Sequence, residues 1–179
     1  YATEIGVNKN LEYQKKSFKV LSKKTNRIYL TKDEIIRLQK LKLSGSLEMT
    51  RDAFILMCYL GIRYSDYRKI NKNNISDNYL DITMQKTNEQ VSIPIHPNAL
   101  EIIKKWEYQL PQLSNVKLNK QIKDVCRYAE IDELVIDRDK TCSRYKLVTC
   151  HTARRSFATN GYLSDVPIRD LMRITGHKK

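Results

Sequence analysis

Leu56-Met57-Cys58-Tyr59-Leu60-Gly61-Ile62-Arg63-Tyr64-Ser65-Asp66 is an apolar run halted by glycine and followed at once by a charged turn. The run ends a helix expected over residues 47–60, through Ala53, Phe54, Met57 and Cys58. Gly61 supplies the left-handed residue that closes such a helix, and Ser65 or Asp66 is placed to start a short helix after it. Arg63 therefore falls at a junction between two helices, where a planar guanidinium can grip a phosphate bidentately. Asp66, three residues on, is placed to orient that fork.

The flanking sequence extends the helical pattern. Thr31-Lys32-Asp33-Glu34 is a capping box, followed by Ile35, Leu38 and Leu41 at helical spacing. The period then changes. Residues 79–84 and 91–95 alternate apolar and polar side chains around the polar stretch 85–90, which predicts a β-hairpin with Pro94 on an edge strand. Pro97 suits the first turn of a helix carrying Leu100, Ile102, Ile103 and Trp106. Further helices are expected over residues 116–129, 151–163 and 167–175, the last stopped by Gly176. Residues 131–150 predict a loop with short extended pieces. The fold class is mainly α with a small antiparallel β-hairpin (α+β). Residues 1–27 are polar and Lys-rich and predict a linker, so the organised domain is expected over 28–179.

The 179 residues include 33 Lys and Arg against 20 Asp and Glu, a net charge of +13. A surplus spread along the whole chain points to a polyanionic partner, nucleic acid first. No apolar run is long enough to span a bilayer, and the N-terminus lacks a basic-then-apolar leader, so no membrane partner is expected. Cys58, Cys126, Cys142 and Cys150 form no C-x-x-C pair, which argues against zinc and for reduced thiols in a cytoplasmic protein.

Two more motifs carry chemistry. His151 and Arg154, in His151-Thr152-Ala153-Arg154, share one helix face and pair a proton-transfer group with a fixed cation. Leu171-Met172-Arg173-Ile174-Thr175-Gly176-His177 ends an apolar helix in Gly-His. Taken singly, each motif also fits an ordinary surface or capping residue.

Together and in this order, the motifs resemble the catalytic domain of the tyrosine recombinases, the phage-type integrases, and most of all those of phages and conjugative transposons. That family's Gly-Leu-Arg-x-Ser-Glu/Asp is matched by Arg63 with Asp66, its His-x-x-Arg by His151 and Arg154, and its Leu-Gly-His by His177. Its hairpin-turn lysine is matched by Lys86. Ile62, Thr175 and Arg155 depart mildly from the common pattern. The resemblance implies the DNA breaking-rejoining enzyme fold and site-specific recombination or integration on double-stranded DNA through a 3′-phosphotyrosyl link, without metal or cofactor. It implies Arg63 and Arg154 as transition-state donors, Lys86 as general acid, His151 as proton acceptor, His177 as phosphate donor and Asp66 as orienter. The family's nucleophile is a tyrosine a short way beyond Leu-Gly-His, and no tyrosine of this sequence occupies that place. The nucleophile is therefore expected beyond Lys179, the last residue of the sequence. The chain is accordingly expected to be a piece of a longer protein, monomeric and unable to cleave by itself. The longer protein is expected to be a tetramer on DNA, with an N-terminal DNA-binding domain ahead of the linker. The alternatives are a type IB topoisomerase-like enzyme and a binding domain that has lost activity.

Overall fold

The computed structural model describes residues 27–137 and 140–176. The linker expected over 1–27, apart from Arg27, lies outside the described residues. So do the expected site residue His177 and Lys179, the residue beyond which the nucleophilic tyrosine is expected.

The capping box forms as the sequence predicts. Thr31 Oγ1 accepts from Glu34 N at 3.3 Å, Glu34 Oε2 accepts from Thr31 N at 2.7 Å, and helix α1 runs Lys32–Lys40. Helix α2, Gly45–Leu60, is the spine of the domain. Phe54, Ile55, Leu56, Met57 and Leu60 are buried on all sides of it, because α1, α4 (Pro97–Lys105), α5 (Asn115–Tyr128) and α6 (Cys150–Tyr162) pack around it. A helix apolar around its whole circumference is stable only when enclosed in this way. The buried ion pair of α2 is anchored from outside the helix as well. Arg51 Nε donates to Asp52 Oδ1 at 2.8 Å, and Asp52 Oδ2 accepts from Lys105 Nζ at 2.6 Å and Trp106 Nε1 at 2.9 Å.

Gly61 ends α2 in the left-handed conformation, φ +65°, and its N–H caps Met57 O. Any Cβ there would overlap the Phe157 ring of α6, so the glycine also sets how closely α2 and α6 approach. The short helix α3 follows at Tyr64–Tyr67. It starts earlier than expected: Arg63 itself, in extended backbone, is the N-cap, and Ser65 and Asp66 lie inside the helix.

The expected hairpin forms between β2 (Tyr79–Thr83) and β3 (Gln90–Pro94), with β1 (Ile75–Ser76) added in the order β1-β2-β3. Leu80 pairs with Ile93 and Ile82 with Val91, so one face enters the core. Pro94 is on the edge strand, where a missing N–H costs nothing. Residues 131–150 are more ordered than predicted. They form a second hairpin, β4 (Leu134–Asp137) with β5 (Lys140–Ser143), and a 3-10 turn at Arg144–Leu147. Helix α7, Ile168–Thr175, ends at Gly176 with φ +59°.

Arg144 ties this second hairpin to the start of α1. Its guanidinium donates to both carboxylate oxygens of Glu34, to Glu133 Oε2 at 2.9 Å and to the Tyr29 carbonyl. Glu34 is 4% exposed, so without Arg144 a buried carboxylate would keep only the distant Arg37, at 4.0 Å, as counter-ion. Replacing Arg144 with Met, which keeps the stem and removes the fork, is expected to lower stability by about 3 kcal/mol. Urea unfolding followed by Trp106 fluorescence measures this, and an unchanged midpoint would show that the node contributes nothing.

Candidate active site

The α2–α3 junction and the N-terminus of α6 face each other across a cleft of about 360 Å³. Arg63, Tyr64, Asn115, Asn119, His151 and Arg154 line it. The α6 end is built carefully. Thr149 N donates to Thr152 Oγ1 at 3.0 Å, Cys150 N donates to Asn119 Oδ1 at 2.8 Å, and Asn119 Nδ2 donates to Asn115 Oδ1 at 2.9 Å. These bonds hold His151 and Arg154, one helical turn apart, against the junction.

Arg154 is 4% exposed. Its Nη1 donates to Gly61 O at 2.9 Å and its Nη2 to Thr175 O. One guanidinium thus serves the C-terminal carbonyls of both α2 and α7, ends that carry partial negative charge and lack intrahelical donors. Burial, with Arg63 close by, still pulls its pKa down to about 10, and Asp66 offsets this only in part.

Arg63 is partly exposed, and its Nη1 lies 3.9 Å from Asp66 Oδ2. That exceeds a hydrogen bond, and both atoms are buried without a hydrogen-bond partner. Asp66 therefore holds Arg63 loosely. Its firm bond is elsewhere: Asp66 Oδ1 accepts from Gln85 N at 2.8 Å, in the turn that carries Lys86. Partial burial lowers the pKa of His151 below the ordinary imidazole value, and Arg155, Arg154, Arg63 and Arg27 push the same way. The same forces act on Arg155, lowered by burial and by Arg27. Cations outnumber anions here, and the field favours an incoming anion.

Of the residues expected from sequence, Arg63, His151 and Arg154 come together in the cleft. Asp66 lies behind them. Lys86 is exposed on its turn and does not line the cleft. The end of α7 does reach that turn, since a Cβ at Gly176 would sit 3.4 Å from Thr87 Oγ1 and 3.5 Å from Met84 Cγ. Sequence reasoning missed Asn115 and Asn119, which belong to an ordinary amphipathic helix pattern, and the charges of Arg27 and Arg155. Only the fold brings Asn115, Asn119 and Arg27 near His151, whereas Arg155 lies one turn along the same helix. Among the described residues no cluster of His, Cys, Asp or Glu could hold a metal ion, and no helix is long and apolar enough to cross a membrane.

The lambda integrase tetramer bound to a Holliday junction aligns with 99% of this chain and 54% of its own, at 20% identity and a TM-score of 0.70. The lambda integrase catalytic core aligns over 84% of this chain and 92% of its own, at 18% identity and a TM-score of 0.62. The XerH site-specific recombinase in its post-cleavage complex with palindromic difH substrate gives 15% identity and a TM-score of 0.62 over 86% of this chain. At these identities the likeness establishes a common fold, the recombinase catalytic core expected from the sequence motifs. The chain spans 47% of the XerH chain, about half its length. No curated protein matches the sequence. The phage integrase family matches it over residues 28–179, most of its length, and the chain belongs to that family.

Proposed function

We propose that this chain is the catalytic domain of a site-specific recombinase that integrates a mobile element by breaking and rejoining double-stranded DNA. The observation that carries this reading is the cleft itself, where Arg63, Arg154 and His151 converge and an Arg63 donor is buried with no acceptor. A scissile phosphate supplies the acceptor and the missing negative charge. The structural relatives support the same substrate, since lambda integrase is seen on a Holliday junction and XerH with its difH substrate.

In this reading a tyrosine oxygen bonds to phosphorus, the bond from phosphorus to the 5′-oxygen breaks, and a 3′-phosphotyrosyl link remains. His151 takes the tyrosine proton, and Lys86 gives a proton to the departing 5′-oxygen. Arg63 and Arg154 stabilise the charge that builds on the non-bridging oxygens, and His177 adds a further donor. Attack by another strand's 5′-hydroxyl reverses these steps. The covalent link conserves the bond energy, so the chemistry calls for neither metal nor nucleotide cofactor. Tyr64 lines the cleft, but its hydroxyl donates to Leu113 O. The reading therefore assigns attack to a tyrosine beyond Lys179, as part of a full-length protein that assembles as a tetramer on DNA. The polar residues 1–27 would then link this domain to an N-terminal DNA-binding domain. Four cysteines, all free and three of them buried, suit the reducing cytoplasm.

The 179-residue chain alone is expected to bind duplex DNA as a monomer and to form no covalent adduct. Its affinity should fall on the order of 10³-fold between about 50 and 200 mM salt, as for about six phosphate contacts. Arg63→Ala should weaken binding and reduce the salt slope by about one. The full-length protein should yield an SDS-resistant 3′-adduct on a nicked duplex taken from the boundary of its element. Salt-insensitive binding, or no adduct from the full-length protein, would overturn the proposal.

The depressed pKa of His151 has a sign that can be checked. The free protein keeps this imidazole neutral to a lower pH than an ordinary histidine, which titrates near about 6.5. A bound phosphate offsets the arginines that cause part of the depression, so binding draws in a proton. Affinity for duplex DNA is expected to rise as pH falls from about 7.5 to 5.5, and His151→Gln should remove that part of the rise. A variant with the same pH dependence as the parent protein would place the titrating group elsewhere.

A further inference from the structure

Among the described residues, three buried side-chain polar atoms lack a hydrogen-bond partner: Arg63 Nη1, Asp66 Oδ2 and Thr87 Oγ1. All three lie on the two segments joined by the bond from Gln85 N to Asp66 Oδ1. Arg63 serves the cleft and Asp66 supports it. Thr87 has no assigned purpose, and it directly follows Lys86 in the turn.

The turn is closed by Met84 N donating to Glu89 O and Asn88 N donating to Met84 O, both at 2.9 Å. It is gripped from two sides. Asp66 holds Gln85 on one side. On the other, Thr87 and Met84 lie against Gly176, directly after the Thr175 carbonyl that Arg154 holds. The supports of the Lys86 turn are therefore Asp66, which faces Arg63, and Gly176, which adjoins the carbonyl that Arg154 holds. A buried hydroxyl without a partner is unfavourable. If packing against Gly176 were all that mattered, valine would fill the same volume without that cost.

We propose that Thr87 is a positioning residue for Lys86, its hydroxyl locking the turn onto the Asp66 carboxylate once a phosphate occupies the cleft. Phosphate draws Arg63 Nη1 away from Asp66 Oδ2. That oxygen, already without a hydrogen-bond donor, then also loses its neighbouring cation, and the turn already bonded to its sister oxygen provides a donor in the Thr87 hydroxyl. Each unpartnered atom gains a partner in one step, and the lysine on the turn is brought to the 5′-oxygen. The inference rests on the recombinase reading, with Lys86 as general acid.

The test compares full-length parent protein, Thr87→Val, Thr87→Ser and Lys86→Ala on two nicked duplexes. One has the natural 5′-oxygen at the scissile phosphate, and the other has a bridging sulfur there. A thiolate leaves without being protonated, so the sulfur substrate bypasses the acid. Thr87→Val is expected to cleave the oxygen substrate on the order of 10²-fold more slowly, the effect of about 1 Å of misplacement. It should cleave the sulfur substrate near the parent rate and bind DNA unchanged. Thr87→Ser, which keeps the hydroxyl, should stay within a few-fold of the parent protein. Thr87→Val at the parent rate on oxygen, or slowed equally on both substrates, overturns the assignment. Failure of sulfur to rescue Lys86→Ala overturns the general-acid reading on which the inference stands, and so separates the two.

Discussion

The guanidinium of Arg154 is the interaction on which this domain's working end depends. Two helices, α2 and α7, stop with their carbonyls turned toward it, and Nη1 and Nη2 take one carbonyl each. Without a buried donor, both ends would carry orphan acceptors in a region closed to water. The fork geometry matters, because a lysine in this position could not present two coplanar donors in fixed directions. Both helix ends are capped by a left-handed glycine, Gly61 and Gly176, and the carbonyls of Gly61 and Thr175 face Arg154.

In the proposed reading this arrangement gives one residue two duties. The carbonyls fix where the guanidinium sits before any ligand arrives, and a donor fixed in advance needs no reorganisation when charge develops nearby. The cost appears in its titration, pulled down to about 10 by burial and by Arg63. Asp66 is the carboxylate that offsets this, and one of its two oxygens is bonded to the backbone of the Lys86 turn. The cleft is thus left short of negative charge. A stable fold tolerates this because its core lies elsewhere, around α2, and because Arg144 and Asp52 keep the other buried charges paired.

Local signals in the sequence were enough for most elements. The capping box at residues 31–34, the Gly61 stop, the alternation around residues 85–90 and Pro97 each act within a few residues of chain, and each produced the expected element. The first and second motifs likewise delivered Arg63, His151 and Arg154 to one cleft. What sequence could not show depends on partners far apart in the chain. Arg144 reaches Glu34 across 110 residues, and Asn119 holds the start of α6 across 31. Asp66 is the instructive case. Its spacing from Arg63 implied an oriented fork, yet the competing backbone N–H of Gln85 takes the better bond, and the i,i+3 pair relaxes to 3.9 Å. The residues 131–150 show the same limit, because β4 exposes Leu134 and Ile136 and so lacks the apolar-in, polar-out pattern that marks a half-buried strand.

The placement of Lys86 follows from the same economy of charge. A third cation fixed inside the cleft would add to the repulsion already acting on His151 and Arg154, and its desolvation would oppose the protonated state a general acid needs. On an exposed turn the ammonium keeps its water. The turn is nevertheless anchored at Asp66 and at Gly176, next to the groups that hold Arg63 and Arg154. In the proposed mechanism, separating the acid from the fixed donors in the free protein, while coupling their supports, lets the charge needed for the leaving oxygen arrive only when a phosphate has already offset the arginines.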